Sequence, residues 1–283
     1  MQIGVIMNPE EIAALRPDEL SPADNEAKAE TIGITKANLT TAKCFVLAIL
    51  AGAFIAFGAL YFCVFMGDPT LPFGVQRVVG GICFFLGLVL VLCCGAELFT
   101  GNMLLICAKA ANKITWKGLL RNWGLVWLGN LVGSLFAVAL VFFADIPALN
   151  SGNVATAMVN IAAGKVALEP LTLFCKAILC NIFVCLAVWI GFSSRTVVDK
   201  VIGILLPISA FVACGFEHCV ANMFFLPMGF ALNLSGVGVA GTIALDGIVY
   251  NIALATLGNI VGGVLVGLAY WYIYSNRKKA DTK

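Results

Sequence analysis

The stretch Cys214-Gly215-Phe216-Glu217-His218-Cys219-Val220-Ala221-Asn222-Met223-Phe224-Phe225-Leu226-Pro227 decides how the rest of the chain is read. It sets Glu217 and the chain's only histidine, His218, inside an apolar run, with a glycine before them and a proline after. A titratable side chain is costly at membrane depth and marks a working position there. A helix arriving from Val201 is therefore expected to break here. The plainer alternative is a histidine hydrogen-bonded inside a bundle for structural reasons alone. A second copy of the pattern weighs against it: Gly95-Ala96-Glu97-Leu98-Phe99-Thr100-Gly101-Asn102 repeats the frame of glycine, any residue, glutamate, four residues, asparagine. A further matched pair follows each break, Gly129-Asn130-Leu131-Val132-Gly133 and Gly258-Asn259-Ile260-Val261-Gly262. Two matched pairs in the same order mark an internal repeat.

The 283 residues are 61% hydrophobic and 11% charged, with a mean hydropathy of +1.01. That balance lies outside the soluble globular range and implies a polytopic membrane protein. A hydrocarbon layer of about 30 Å takes about 20 apolar residues per crossing. Six stretches qualify, at 41–66, 74–108, 117–143, 166–192, 198–227 and 246–275. Three spans per half is an odd number, so the halves enter the membrane in opposite directions. The fold class is an all-α membrane protein, an inverted 3+3 repeat with interrupted second and fifth helices. Both breaks then meet near the midplane, and the amino ends of the short continuation helices point partial positive charge into the pathway. An anion is the favoured guest.

Residues 1–40 read as a cytoplasmic amino-terminal segment, 41–275 as the six-helix channel domain and 276–283 as a basic cytoplasmic tail. No short apolar core preceded by basic residues opens the chain, so no cleavable signal is expected. Arg16, Lys28, Lys36 and Lys43 precede or open the first span; Lys109, Lys113, Lys117 and Arg121 lie between the second and third. Arg195 and Lys200 join the fourth and fifth, and Arg277, Lys278, Lys279 and Lys283 form the tail. By the positive-inside rule both termini face the cytoplasm, and the expected location is the cytoplasmic (inner) membrane. Only Arg77, Lys165 and Lys176 remain, on the outer side or within a span. The net charge of +2 reports topology, not nucleic-acid binding. The eleven cysteines form no C-x-x-C pair and have no second histidine, so neither a metal nor a redox cofactor is expected.

Within the amino-terminal segment, Asn8 before Pro9 and Ser21 before Pro22 each read as an N-cap followed by proline at the first helical position. Its carboxylates suit either a solvated tail or a cytoplasmic plug or sensor. A polar outer loop is expected up to Gly164, after which Lys165 opens the fourth span and Asn181 lies deep within it. At about 1.5 Å per residue the two are about 24 Å apart, unless the chain after Lys165 folds back. The second part of the fifth span is expected to end at Pro227.

The chain resembles the formate/nitrite transporter family, most closely its formate-channel branch. Carrying the resemblance are Pro72-Phe73-Gly74, Val79-Gly80-Gly81-Ile82-Cys83-Phe84, Gly95 to Thr100, Asn130-Leu131-Val132-Gly133, Cys185-Leu186-Ala187-Val188-Trp189, Gly215 to His218 and Ala221-Asn222-Met223. The likeness runs from about residue 36 to 275. It implies an aquaporin-like protomer with its own pore, a homopentamer in membrane lipid, and passage of formate, with nitrite, hydrosulfide and other small monovalent anions as relatives. It implies that His218 and Thr100 face the guest, and that Lys165 and Asn181 are an electropositive lysine and its partner. One hydrophobic constriction falls on Phe84 and Phe211, the other on Leu88, Leu98 and Val184. Glu97, Asn102, Glu217 and Asn222 are structural at the breaks.

A channel or proton-coupled transporter for formate is thus expected, with a nitrite or hydrosulfide channel as the alternative. An aquaporin-type neutral-solute channel shares the inverted repeat, but the paired Asn-Pro-Ala boxes are absent. A membrane enzyme using His218, Glu217 and Cys219 is disfavoured, because adjacent helical residues do not face one another. Magnitudes favour neutralising the guest. A bare carboxylate in a dry constriction faces an idealised cost of order 20 kcal/mol, several after relaxation. Protonating an acid of pKa about 4 at pH 7 costs about 4 kcal/mol. His218 is placed to lend and regain that proton.

Overall fold

In the computed structural model, which describes residues 19–238 and 242–280, the chain is all helical. The reading of Asn8 as a helix start falls outside these residues. Helix α1 (Pro22–Ala37) opens as expected: Ser21 caps it by accepting from the Asp24 N–H at 3.2 Å, with proline next. Then come α2 (Thr41–Met66) and α3 (Phe73–Cys94), a break, a 3-10 turn (Gly101–Leu104), α4 (Leu105–Ala110) and α5 (Trp116–Phe143). The second half runs α6 (Asn153–Val166), α7 (Pro170–Ser193), α8 (Val197–Ala213), a break, α9 (Cys219–Leu234) and α10 (Leu245–Ala280). Helices α2, α3, α5, α7 and α10 are each long and apolar enough to cross a membrane. The remaining crossing is assembled from α8 and α9, so this is a multi-pass membrane protein with a broken second and fifth span.

Two expectations need correction. Residues 153–166 are a helix, and Lys165 lies in its last turn instead of opening the fourth span, which starts at Pro170. The alanines of that stretch favour helix more strongly than its polar residues oppose it. Helix α9 continues through Pro227 to Leu234, packed among buried neighbours that tolerate the lost backbone bond. Of the two readings left open for the amino-terminal segment, the solvated tail does not hold for residues 22–37. Helix α1 packs on α4 and α7 and buries Asn25, whose amide donates to the Trp189 carbonyl at 2.9 Å. Lys28 donates to the Phe192 carbonyl at the end of α7; burial lowers its pKa, and Lys200 and Arg195 add to that.

Both halves share one plan, a short helix, a long one, a broken one and a long one, so α1 is the counterpart of α6. Lipid supplies no hydrophobic drive between spans, and close packing must hold them. A Cβ on Gly133 of α5 would come 1.9 Å from the Ile49 carbonyl oxygen of α2. Its counterpart on Gly262 of α10 would come 2.2 Å from that of Ile178 on α7. Gly129 meets Ala48 and Gly258 meets Ala177 in the same way. Each pair of long helices therefore touches backbone to backbone.

Gly133→Ala is expected to force α2 and α5 apart and abolish the folded peak in detergent size exclusion. At exposed Gly124 an added methyl meets nothing within 4 Å, so Gly124→Ala should stay within about 0.5 kcal/mol of the parent in thermal unfolding.

Candidate functional site

Each break begins at a glycine in the left-handed region, Gly95 at φ +80° and Gly215 at φ +69°. The backbone freed there needs partners, since lipid offers none. On the α3 side Asn130 supplies them: its Oδ1 accepts from the Phe99 N–H at 2.9 Å, and its amide donates to the Ala48 and Glu97 carbonyls at 2.7 and 2.9 Å. On the α8 side Asn259 repeats the arrangement. It accepts from the Cys219 N–H at 2.9 Å and donates to the Ala177 and Glu217 carbonyls at 2.7 and 2.9 Å.

The two buried carboxylates are held by matching sets. Glu97 accepts from the Asn102 amide at 2.7 Å and lies 3.0 Å from the Lys36 ammonium. Glu217 accepts from the Asn222 amide at 2.7 Å and from Lys165 at 2.9 Å. Asn122 and Asn251 close the sets, accepting from Asn102 and Asn222 and donating to the carbonyls of Lys36 and Lys165. Glu97, Asn102, Glu217 and Asn222 thus sit together at the breaks. Lys36, Asn122 and Asn251 were missed by sequence reasoning. The constant offset that relates Asn130 to Asn259 also relates Lys36 to Lys165 and Asn122 to Asn251, and that signal was available.

The halves differ where they meet. His218 stands at the N-cap of α9, and its Nδ1 accepts from the Ala221 N–H at 3.0 Å. The remaining proton of the neutral ring therefore sits on Nε2, which donates to Thr100 Oγ1 at 2.9 Å. Thr100 belongs to the other break, so this hydrogen bond joins the two interruptions. Asn181 does not pair with Lys165. Its amide donates to the Asn259 carbonyl at 2.6 Å and to the Thr100 carbonyl at 3.3 Å, which fixes the backbone beneath the threonine. Gly263 makes room, because a Cβ there would lie 2.5 Å from the Asn181 amide nitrogen.

A vestibule of about 360 Å³ opens above His218, lined by Lys165, Glu217, Phe84 and Phe211 among others. The rings of Phe84 and Phe211 meet edge to face, 5.6 Å between centroids, and Phe211 stacks on His218 at 5.9 Å. On the far side lies a cavity of about 30 Å³, lined by Leu88 and Leu98. Val188 lines it and Val184, though buried, does not. Ala29, Ile32, Gly33 and Lys36 of α1 complete its wall. The site is a charged vestibule, an aromatic constriction, a single donor pair and an aliphatic constriction in series.

The sequence profile of the formate/nitrite transporter family matches residues 24–272. The chain belongs to the formate/nitrite transporter family. The formate channel FocA of Escherichia coli (strain K12) is 41% identical over 271 residues, covering 91% of this chain and 95% of that one. A solved pentameric formate channel with formate bound is 40% identical, with a TM-score of 0.77, covering 83% of this chain and 97% of that one. The aquaglyceroporin of Plasmodium falciparum, 12% identical at a TM-score of 0.54 over 82% of this chain and 96% of that one, shares the fold alone.

Removing the Glu217 carboxylate leaves a half-buried Lys165 and one N–H of the buried Asn222 amide without their acceptor. Glu217→Ala is expected to cost about 3–5 kcal/mol in detergent thermal unfolding, and adding Lys165→Met should recover part of it. A single variant as stable as the parent would contradict this reading of the carboxylate.

Proposed function

We propose that this chain conducts formate across the cytoplasmic membrane as a protomer of a homopentamer, with both termini in the cytoplasm. The observation that carries the anion reading is the order of charge along the path: a cationic vestibule, then the Thr100–His218 pair, with an apolar ring on each side of it. Formate as the guest draws support from the relatives named above, one of them a solved channel with formate bound. Exposed apolar side chains on several spans, such as Phe136, Leu206 and Leu257, suit lipid and neighbouring protomers.

Passage follows from the energetics. Lys165 draws the anion into the vestibule by long-range attraction. A carboxylate entering the aromatic ring loses its water, and the Nε2–H of His218 offers a hydrogen bond in return. For the guest to cross as the neutral acid, the ring must first become an imidazolium. The incoming proton lands on Nδ1, which then releases the Ala221 N–H it caps. Nε2 passes its proton to the carboxylate, leaving a neutral ring with hydrogen on Nδ1, and tautomer exchange restores the cap. Protonation of the guest is thus tied to opening of the α9 N-cap.

The test is uptake into proteoliposomes of the full chain, with formate, nitrite, hydrosulfide and glycerol compared side by side. Formate is expected to enter at a rate that rises as pH falls from 8 to 6, while glycerol stays at the rate of empty vesicles. Faster nitrite or hydrosulfide than formate would move the assignment within the family. Glycerol uptake without any anion uptake would overturn the anion reading.

A further inference from the structure

The halves share the glycine, glutamate and asparagine frame at each break, and they part company at positions the frame does not dictate. One lies in the vestibule wall. The Glu97 N–H donates to the Leu47 carbonyl at 3.2 Å, and the Glu217 N–H donates to the Lys176 carbonyl at 3.4 Å. Lys176 therefore occupies the position that the first half fills with leucine. Its ammonium has no hydrogen-bond or ion-pair partner among the described residues, and it lines the same cavity as Lys165. An unpaired ammonium is costly against apolar helices unless it reaches water or an anion. Helical side chains lean toward the helix N-terminus, here Pro170, which carries Lys176 back from the break and up into the vestibule.

A second difference between the halves is Arg77 near the start of α3. Its Nε donates to the Ala213 carbonyl at 2.7 Å and its Nη2 to the Val212 carbonyl at 3.4 Å, so the guanidinium is seated on the negative end of α8. It rests over Gly215, where a Cβ would come 2.6 Å from Nη2. At the matching Gly95 an added Cβ meets nothing within 4 Å. The seat therefore exists in one half only. Nη1 has no hydrogen-bond partner among the described residues, and the side chain lines the vestibule.

Three cations, Arg77, Lys165 and Lys176, face this cavity against one carboxylate, Glu217, which Lys165 already engages. The opposite cavity holds one charged residue, Lys36, paired with Glu97. Resting on the proposed anion passage through this vestibule, we infer that Lys176 and Arg77 form a binding site for small oxydianions of the dicarboxylate type. A dianion gains from two uncompensated cations where a monoanion uses one. It cannot go further, because the desolvation cost at the Phe84–Phe211 ring grows with the square of the charge and two protons are needed to remove it. The occupant is held at the mouth and blocks from that face alone.

Oxalate is the probe. Calorimetry on the detergent-solubilised full chain should register oxalate binding, and Lys176→Leu, which installs the residue the first half carries, should weaken it by about tenfold or more, the loss of one charge-assisted contact. Lys176→Arg should retain it. In membrane vesicles of opposite orientation, oxalate should inhibit formate movement from the Lys176 face and not from the Lys36 face. Calorimetry reads the site even where formate flux is absent, so failure of the transport assignment is separable from failure of this one. No measurable oxalate binding, equal binding by the parent and Lys176→Leu, or equal block from both faces overturns the inference.

Discussion

A chain that interrupts a helix inside a bilayer frees backbone N–H and C=O groups that lipid cannot satisfy. Two asparagines answer this demand, Asn130 for the break after α3 and Asn259 for the break after α8, each binding one N–H and two carbonyls. Their reach fixes how far apart the long helices stand. Hence Gly133 and Gly262 meet carbonyls across the interface, where any side chain would hold the asparagines out of range. The Glu97 and Glu217 sets are built on this frame, and the lysines ending α1 and α6 neutralise them. Packing, break geometry and charge placement are one problem solved twice.

Function enters where the two solutions differ. Position for position, Leu98 stands where the other half has His218 and Val220 where it has Thr100. The hydrogen bond between the breaks joins those two departures. Because Nδ1 is committed to capping α9, the ring has one nitrogen for a guest. A second proton cannot be taken up without disturbing the helix end. The same side chain is thus a structural cap in one protonation state and an N–H donor through both nitrogens in the other. This gives the proposed proton coupling a mechanical counterpart.

Much of this was legible in the residues. The paired frames around Glu97 and Glu217 and the Gly-Asn pairs expose the repeat, and the odd number of spans per half makes it inverted. What misled was local composition. Asn153 to Val166 reads as loop because asparagine, threonine and glycine are scattered through it, although its alanines make it a helix. That error put Lys165 at the head of the wrong element, while its tie to Asn181 came from the resemblance alone. The true partner of Lys165 is the glutamate of the break, as Lys36 shows in the other half. Lys36 was counted only as a marker of membrane orientation. Pairing of buried charges depends on which short helix returns to which break, and that tertiary fact has no local signature.

The measurement that bears most directly on the account is formate flux into vesicles with simultaneous recording of internal pH, for the parent chain and His218→Asn. Asparagine keeps an N-capping oxygen and an amide donor of similar reach but cannot titrate. The account expects the variant to fold and still pass formate, with a flat pH profile and no accompanying proton movement. A variant that keeps the parent's pH profile and proton-to-formate ratio would contradict it and leave His218 a structural donor.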